Sequence, residues 1–411
     1  MTVASAAQPQ RKKALGLNFD VGLLLLVGGL TLFGMMMVFS TTFDWSYSLS
    51  DHTSTTVVFV RQLRSLAVGI IALFIFARVD YHYWRKWAVL AIVVTLGLLV
   101  AVLVVGGRNF GATRGFYNGS IQPSEIAKFM IVLYLAIWLT SKSDKLRQFS
   151  YGLVPFAIIV GAIAGAIMME PDLSAALTVV LVGVTMYFLA GADLIQMALA
   201  AVLGGVGGWA VVQASSTGRN RLVEYVAGLQ DLTKAGWHVQ QALIAFVKGG
   251  WLGRGLGSSY QKFGFLPTPH TDSVFAIIGE EIGVVGCVAV IALFALLVWR
   301  GLKIAANAGD DLGAILAAGV TCWIAYEALI NMAVMVAILP FAGNALPFIS
   351  YGGSSLVASL AGVGLLLNIS HQKYRQEEDL PRRTRANFDY GRRDRRTRLS
   401  GAGGRPGVRR K

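Results

Sequence analysis

Apolar positions run through this chain in long, nearly unbroken stretches, and polar positions gather in short segments between them. The stretches lie near residues 20–42, 60–78, 87–106, 122–140, 152–169, 173–190, 194–213, 274–299, 313–337 and 346–369. A bilayer core about 30 Å thick takes roughly 20 residues in helical form, and most of the stretches are that long. Little polar face remains along them to offer to water. The pattern predicts an all-α, polytopic membrane protein of about ten transmembrane helices.

The short connections assign the orientation, because Lys and Arg are retained on the cytoplasmic side. Arg78, Arg85 and Lys86 follow the second stretch, Lys142, Lys145 and Arg147 the fourth, and Arg300 and Lys303 the eighth. Their alternation predicts that both termini are cytoplasmic and that the segment 214–273 is a large extracytoplasmic loop between helices 7 and 8. Loops of that length tend to carry function. The expected division is a cytoplasmic segment 1–18, a transmembrane domain 19–370 and a cytoplasmic tail 371–411. The chain shows no internal repeat of the kind that marks inverted-topology transporters. Gly204 and Gly208 give the seventh helix a small-xxx-small spacing, which reads as close helix packing.

Composition agrees: 55% of residues are hydrophobic and 14% charged, which excludes most soluble classes. The net charge of +14 would suggest a nucleic-acid partner if it were spread over a folded surface. It is not: residues 372–411 hold 14 Lys and Arg against 5 Asp and Glu, with few apolar residues. That composition predicts a disordered tail attracted to anionic membrane lipid or to a cytoplasmic protein, not to nucleic acid. Cys287 and Cys322 fall inside apolar runs, so neither a disulfide framework nor a zinc spacing exists. Arg11, Lys12 and Lys13 precede a run too long for a cleaved signal, which reads as an uncleaved first helix.

Against this background the few ionisable residues stand out, since charge at membrane depth is costly. Glu125 and Lys128 share a helix face at i, i+3, either as a local ion pair or as the wall of a polar cavity. Glu170, Asp172 and the pair Glu280–Glu281 carry the same two readings. Glu327 and Asn331 lie four apart in the ninth stretch, where a lone carboxylate is expected to be hydrogen-bonded and structural. The glycine-rich segment 249–262 presents backbone N–H groups beside Arg254 and Lys262, which suits a phosphate or pyrophosphate as well as it suits a flexible loop. Asp272 ends a Pro-Thr-Pro-His-Thr-Asp sequence, where it reads as a helix N-cap or as a general base toward a sugar hydroxyl. His270 either orients it or bonds the loop. The segment 346–355, with Ser354 among its small and hydroxyl residues, opens the last helix and is expected to line a cavity.

In this order, the segments 122–128, 170–173, 253–262, 269–281 and 347–355 resemble the SEDS family, the FtsW/RodA/SpoVE group of bacterial membrane proteins. The resemblance implies a ten-helix, inverting glycosyltransferase that polymerises lipid II into peptidoglycan at the outer face of the cytoplasmic membrane. By the same resemblance Asp272 is the base. Glu125, Lys128, His270 and Ser354 belong to the substrate site, and Arg114, Arg254 or Lys262 stabilise the departing pyrophosphate. A divalent cation, Mg or Mn, assists some members, although the sequence contains no dedicated metal cage. The expected partners are a class B penicillin-binding transpeptidase, other division proteins and membrane lipids. Glu327 stands where the family usually has Gln. The Pro-His-Thr-Asp pattern and the long tail point to the division branch at the septum over the elongation branch. A lipid-precursor flippase and a noncatalytic scaffold are the alternatives. An outer-surface position for Asp272 favours the polymerase, because a flippase needs midplane charges reached from both sides.

Overall fold

The computed structural model describes residues 19–50, 52–105 and 122–379. Arg114, the segment 1–18 and nearly all of the basic tail lie outside them. Among the described residues, all regular structure is helical. Seven helices are long and apolar enough to cross a membrane: α1 (Val21–Leu49), α2 (Val57–Arg78), α4 (Pro123–Ser141), α7 (Leu194–Ala214), α11 (Gly283–Ala306), α12 (Asp311–Met335) and α13 (Gly353–Asp379). Three shorter apolar helices accompany them, α3 (Ala88–Val105), α5 (Leu153–Met169) and α6 (Leu173–Leu189). Another three are short or amphipathic: α8 (Ser216–Gln230), α9 (Trp237–Gly249) and α10 (Val274–Glu281).

The helix ends sort into two sets through specific bonds. At one end Asp20 caps α1 through Leu23 N (2.9 Å), accepts from Arg300 of α11 (2.9 Å) and donates its own N–H to Ser370 of α13 (3.2 Å). Asn368 of α13 donates to the carbonyls of Ala77 and Val79 as α2 ends. Arg78 and Arg300, two markers of the short connections, thus lie at the end where α1 begins. At the other end the N–H of Val58 donates to Ser46 (3.2 Å), and Ser40 of α1 donates to Glu281 of α10 (2.8 Å).

Between lipid-solvated helices no hydrophobic drive remains, so association rests on close packing. Along the α2–α13 contact, for example, a side chain on Gly364 would place its Cβ 2.5 Å from the Leu73 carbonyl oxygen. The innermost side chains include Trp323, Tyr187 and Phe275, while α7 buries only Gln196 among its residues.

Two expectations are corrected. The stretch 274–299 is not one helix: it breaks at Ile282–Gly283, where Gly283 takes φ 80°, a left-handed conformation that glycine adopts without a Cβ clash. The last helix begins at Gly353, not at Leu346, and residues 346–352 form an irregular segment whose polar groups bond to protein. The segment 214–273, expected as a long loop, holds the helices α8 and α9.

Candidate active site

The local sequence of the Pro-Thr-Pro-His-Thr-Asp turn leaves its carbonyls without helical partners, and the tertiary structure supplies one for each of the last three. The N–H of Tyr351 donates to the His270 carbonyl (2.7 Å), the Ser350 hydroxyl to that of Thr271 (2.6 Å), and the Asn331 amide to that of Asp272 (2.8 Å). Thr268, at the head of the turn, holds φ 46°, and Phe348, in the facing segment, holds φ 65°. Such backbone costs about 1–3 kcal/mol per residue and persists only where the surroundings enforce it. Asp272 is therefore carried on a peptide pinned from two other elements. It is not the N-cap: Ser273 occupies that position, without a side-chain capping bond, and α10 starts at Val274.

The contacts around Asp272 close into a ring. Gly343, in the connection between α12 and α13, packs on the carboxylate, and a Cβ there would lie 2.7 Å from Oδ2. Ser174 of α6 donates to the Gly343 carbonyl (2.5 Å) and to Asp172 (3.0 Å), which caps α6 through Ala175 N. Gln122, at the start of α4, donates its amide to Asp172 (3.1 Å) and its N–H to Ser354 of α13 (2.9 Å). Ser350 and Tyr351 then lead from Ser354 back to the turn.

Beneath this ring, Lys128 is buried between two carboxylates. Glu125 lies 2.9 Å from its ammonium, and Glu327 of α12 bonds it directly. Glu327 is thus not the lone hydrogen-bonded carboxylate expected from its position in the run. Its helix is tied to the ring as well: Asn344 donates to the Glu327 carbonyl (3.0 Å), and Asn331 donates to the Asn344 carbonyl (2.5 Å).

The glycine-rich segment takes a different course. Its N–H groups at Tyr260 and Gln261 donate to the buried Glu280 carboxylate (3.0 and 3.1 Å), as does the Ser259 hydroxyl. Lys262, with a side chain only 6% exposed, pairs with Glu281 (3.0 Å) and donates to Ser40 (3.1 Å). The anion held by these amides is therefore the protein's own. Arg254 lies 3.9 Å from Glu280 with its guanidinium over the Tyr260 ring.

His270 stacks on Trp45 of α1 (centroids 4.4 Å apart, 21°) and meets Tyr351 edge-on (5.8 Å, 70°). Burial lowers its pKa from 6.5 to about 4, so the imidazole is neutral near pH 7.

A groove of about 480 Å³ runs between α2, α4 and α13. Phe76, Phe129, Met130 and Val357 line its apolar length, and Arg64, Ser65 and Ser354 are its polar residues. Ser354 thus belongs to both the ring and the groove. Arg61, also exposed, stands three residues before Arg64 on the same helix. Neither arginine stood out in the sequence, although Arg61-Gln-Leu-Arg64 sets two charges close to one end of an apolar run. Among the described residues, no three His, Cys, Asp or Glu side chains are grouped to hold a metal ion.

The fold and site define a multi-helix membrane protein in which a carboxylate on an anchored turn is linked, through a ring of contacts that includes Ser354, to an apolar groove. A family model described as cell cycle protein, the FtsW/RodA/SpoVE family, matches residues 21–375. The chain is 39% identical over 361 residues to a probable peptidoglycan glycosyltransferase FtsW from Trichlorobacter lovleyi, covering 86% of this chain and 93% of that one. To the stage V sporulation protein E of Bacillus subtilis it is 36% identical, covering 85% and 96%. Among solved structures, Thermus thermophilus rod shape determining protein RodA matches at TM-score 0.64 with 26% identity, covering 87% and 99%. A chain described under structural coordination of polymerization and crosslinking by a peptidoglycan synthase complex matches at TM-score 0.69 with 26% identity, covering 87% and 99%. The chain belongs to the FtsW/RodA/SpoVE family and is a multi-pass membrane protein.

Proposed function

We propose that this protein is an inverting peptidoglycan glycosyltransferase that polymerises lipid II, with Asp272 as general base. The acceptor's N-acetylglucosamine 4-hydroxyl gives its proton to the Asp272 carboxylate as its oxygen bonds C1 of the donor's N-acetylmuramic acid. The C1–phosphate oxygen bond breaks, and polyprenyl pyrophosphate leaves with the electron pair and its negative charge. A base must be held still to share a proton in the transition state, and the three anchored carbonyls beneath Asp272 supply that rigidity.

The observation that carries the reading is that Ser354 joins the Asp272 ring to the apolar groove. A lipid-linked sugar needs both at once, a dry channel for the polyprenyl chain and a polar seat for the headgroup. Arg64, with Arg61 near it on α2, is the cation suited to the pyrophosphate between them. Lys262 is already neutralised by Glu281. Neutral His270 fixes the turn through its stacking on Trp45.

In this reading the ring and α8–α9 face outward, and both termini are cytoplasmic. A class B penicillin-binding transpeptidase is the partner, in keeping with the synthase complex among the structural relatives. Relatives named FtsW favour the division septum as the place of action. The test is elongation of fluorescent lipid II into glycan strands by the purified protein with that transpeptidase. Asp272→Ala is expected to abolish polymer while the variant still elutes as folded protein. Wild-type polymer from that variant rejects the base, and lipid II movement across vesicles without any polymer favours a flippase.

A further inference from the structure

We propose that Phe341 is a positioning residue for Asp272, the residues from Ile338 to Asn344 forming a strap through which α8 and α9 set the placement of that carboxylate. This rests on the reading of Asp272 as the base.

The outer end of the strap is held by the two helices of the 214–273 segment. Tyr225 of α8 donates to the Ile338 carbonyl (2.7 Å). The Phe341 ring stacks on His238 of α9 (4.2 Å between centroids, 29°), and the Arg221 guanidinium of α8 sits 5.1 Å from the same ring. Pro340 restricts the backbone just before the ring is clamped. The clamp therefore consists of an arginine, an imidazole and a hydroxyl from two different helices, all converging on four residues.

The inner end meets the reacting group. Ser174 holds the Gly343 carbonyl, and the Asn331 amide reaches both the Asn344 carbonyl (2.5 Å) and the Asp272 carbonyl (2.8 Å). Gly343 lies so close to the carboxylate that a Cβ would come 2.7 Å from Oδ2. Only Ala342 separates Phe341 from Gly343. Two virtual bonds of about 3.8 Å span that distance, so the clamped residue and the one on the carboxylate are neighbours along the chain. In the strap, a displacement of the Phe341 backbone is passed through Ala342 to Gly343, which lies on the carboxylate, and to Asn344, which shares the Asn331 amide with the Asp272 peptide.

Room for such a displacement exists. A cavity of about 150 Å³ lies between α8 and α9, and Phe341, Arg221 and Tyr225 are among its walls. Whatever changes the separation of α8 and α9 changes where the ring rests. The geometry makes the external segment a setting device for the base.

The test uses the full-length protein under conditions in which wild type polymerises fluorescent lipid II, with two readouts. In the first, Phe341→Ala is expected to lower kcat about tenfold to a hundredfold with KM within about twofold, since small misplacements of a catalytic group act on the chemical step. Phe341→Trp, which keeps an aromatic ring in the clamp, is expected to recover most of the loss. In the second, Asp272→Cys is placed in a Cys287→Ala, Cys322→Ala background, and its reaction with a small charged thiol reagent is timed. Adding Phe341→Ala is expected to change that rate at least about threefold, as a shift in accessibility controls thiol modification.

A loss of kcat with an unchanged labelling rate means a merely structural effect and overturns the strap, as does unchanged kcat. If Phe341→Ala does not fold, His238→Ala and Tyr225→Phe are read in the same two assays, with the same criteria. Full polymerisation by Asp272→Ala sinks the base reading instead, and the labelling rate alone then decides the strap.

Discussion

Lys128 on α4 and Glu327 on α12 meet in a direct charge-assisted hydrogen bond, with Glu125 2.9 Å from the same ammonium. The Lys128 side chain is 2% exposed and that of Glu327 1% exposed. One cation thus holds two carboxylates from two helices, directly beneath the ring that carries Asp272.

Removing the cation and removing one carboxylate are predicted to differ sharply. Lys128→Met leaves two buried carboxylates facing each other, and breaking a buried pair in this way costs about 3–5 kcal/mol. Glu327→Gln keeps the Glu125–Lys128 pair and a hydrogen-bonding side chain, and its cost is expected to be well below that. Thermal unfolding of the purified variants in one detergent checks this. Equal losses for the two variants would show that the ammonium is not what joins α4 to α12.

Arg64 and Lys262 are both basic and both near the outer end in the proposed orientation, yet they are predicted to fail differently. Arg64 lines the groove, so Arg64→Ala is expected to raise KM for lipid II about tenfold, the worth of a modest charge-assisted contact, with little change in melting temperature. Lys262 is tied to Glu281 and Ser40, so Lys262→Met is expected to lower the melting temperature and leave KM within about twofold. Steady-state kinetics beside a melting curve separates the two, and the reverse pattern would exchange their roles.

Stability is predicted to fall on acidification because of two histidines. His270 and His238 are each lowered from 6.5 to about 4, the first by burial and the second by burial and then by Arg221. Between those values the unfolded chain binds protons that the native imidazoles refuse, so unfolding free energy rises with pH across that window. The stabilisation is whole above 6.5, declines as pH falls through the window and levels off below about 4. Melting temperatures measured from about pH 7.5 to about pH 4.5 should drop, and His270→Gln should flatten the slope. A slope unchanged in that variant would mean that His270 does not stay neutral in its stack.

Much of the site is legible in the sequence because it rests on neighbours along the chain. Glu125 and Lys128 pair at i, i+3 as one helical turn requires. The apolar runs located the helices to within several residues, and the Pro-rich turn marked where Asp272 would be held. Where glycine or a hydroxyl cluster broke the pattern, boundaries slipped: Gly283 splits one run into α10 and α11, and α13 starts late at Gly353. Arg61 and Arg64 escaped notice because hydropathy averaged over a whole run hides two charges near its end.

By itself the amino-acid order determined the helical class, the membrane solvent and the motif positions, since all three follow from composition and from spacing within a turn or a span. Only the tertiary structure decided that Glu327 answers Lys128 across 199 residues, that Lys262 is consumed by Glu281, and that Gly343 lies on the Asp272 carboxylate. Local periodicity says which face a side chain occupies along its own helix. What stands opposite that face depends on how distant segments pack, and in this protein those distant contacts place the Asp272 carboxylate and surround it with its ring.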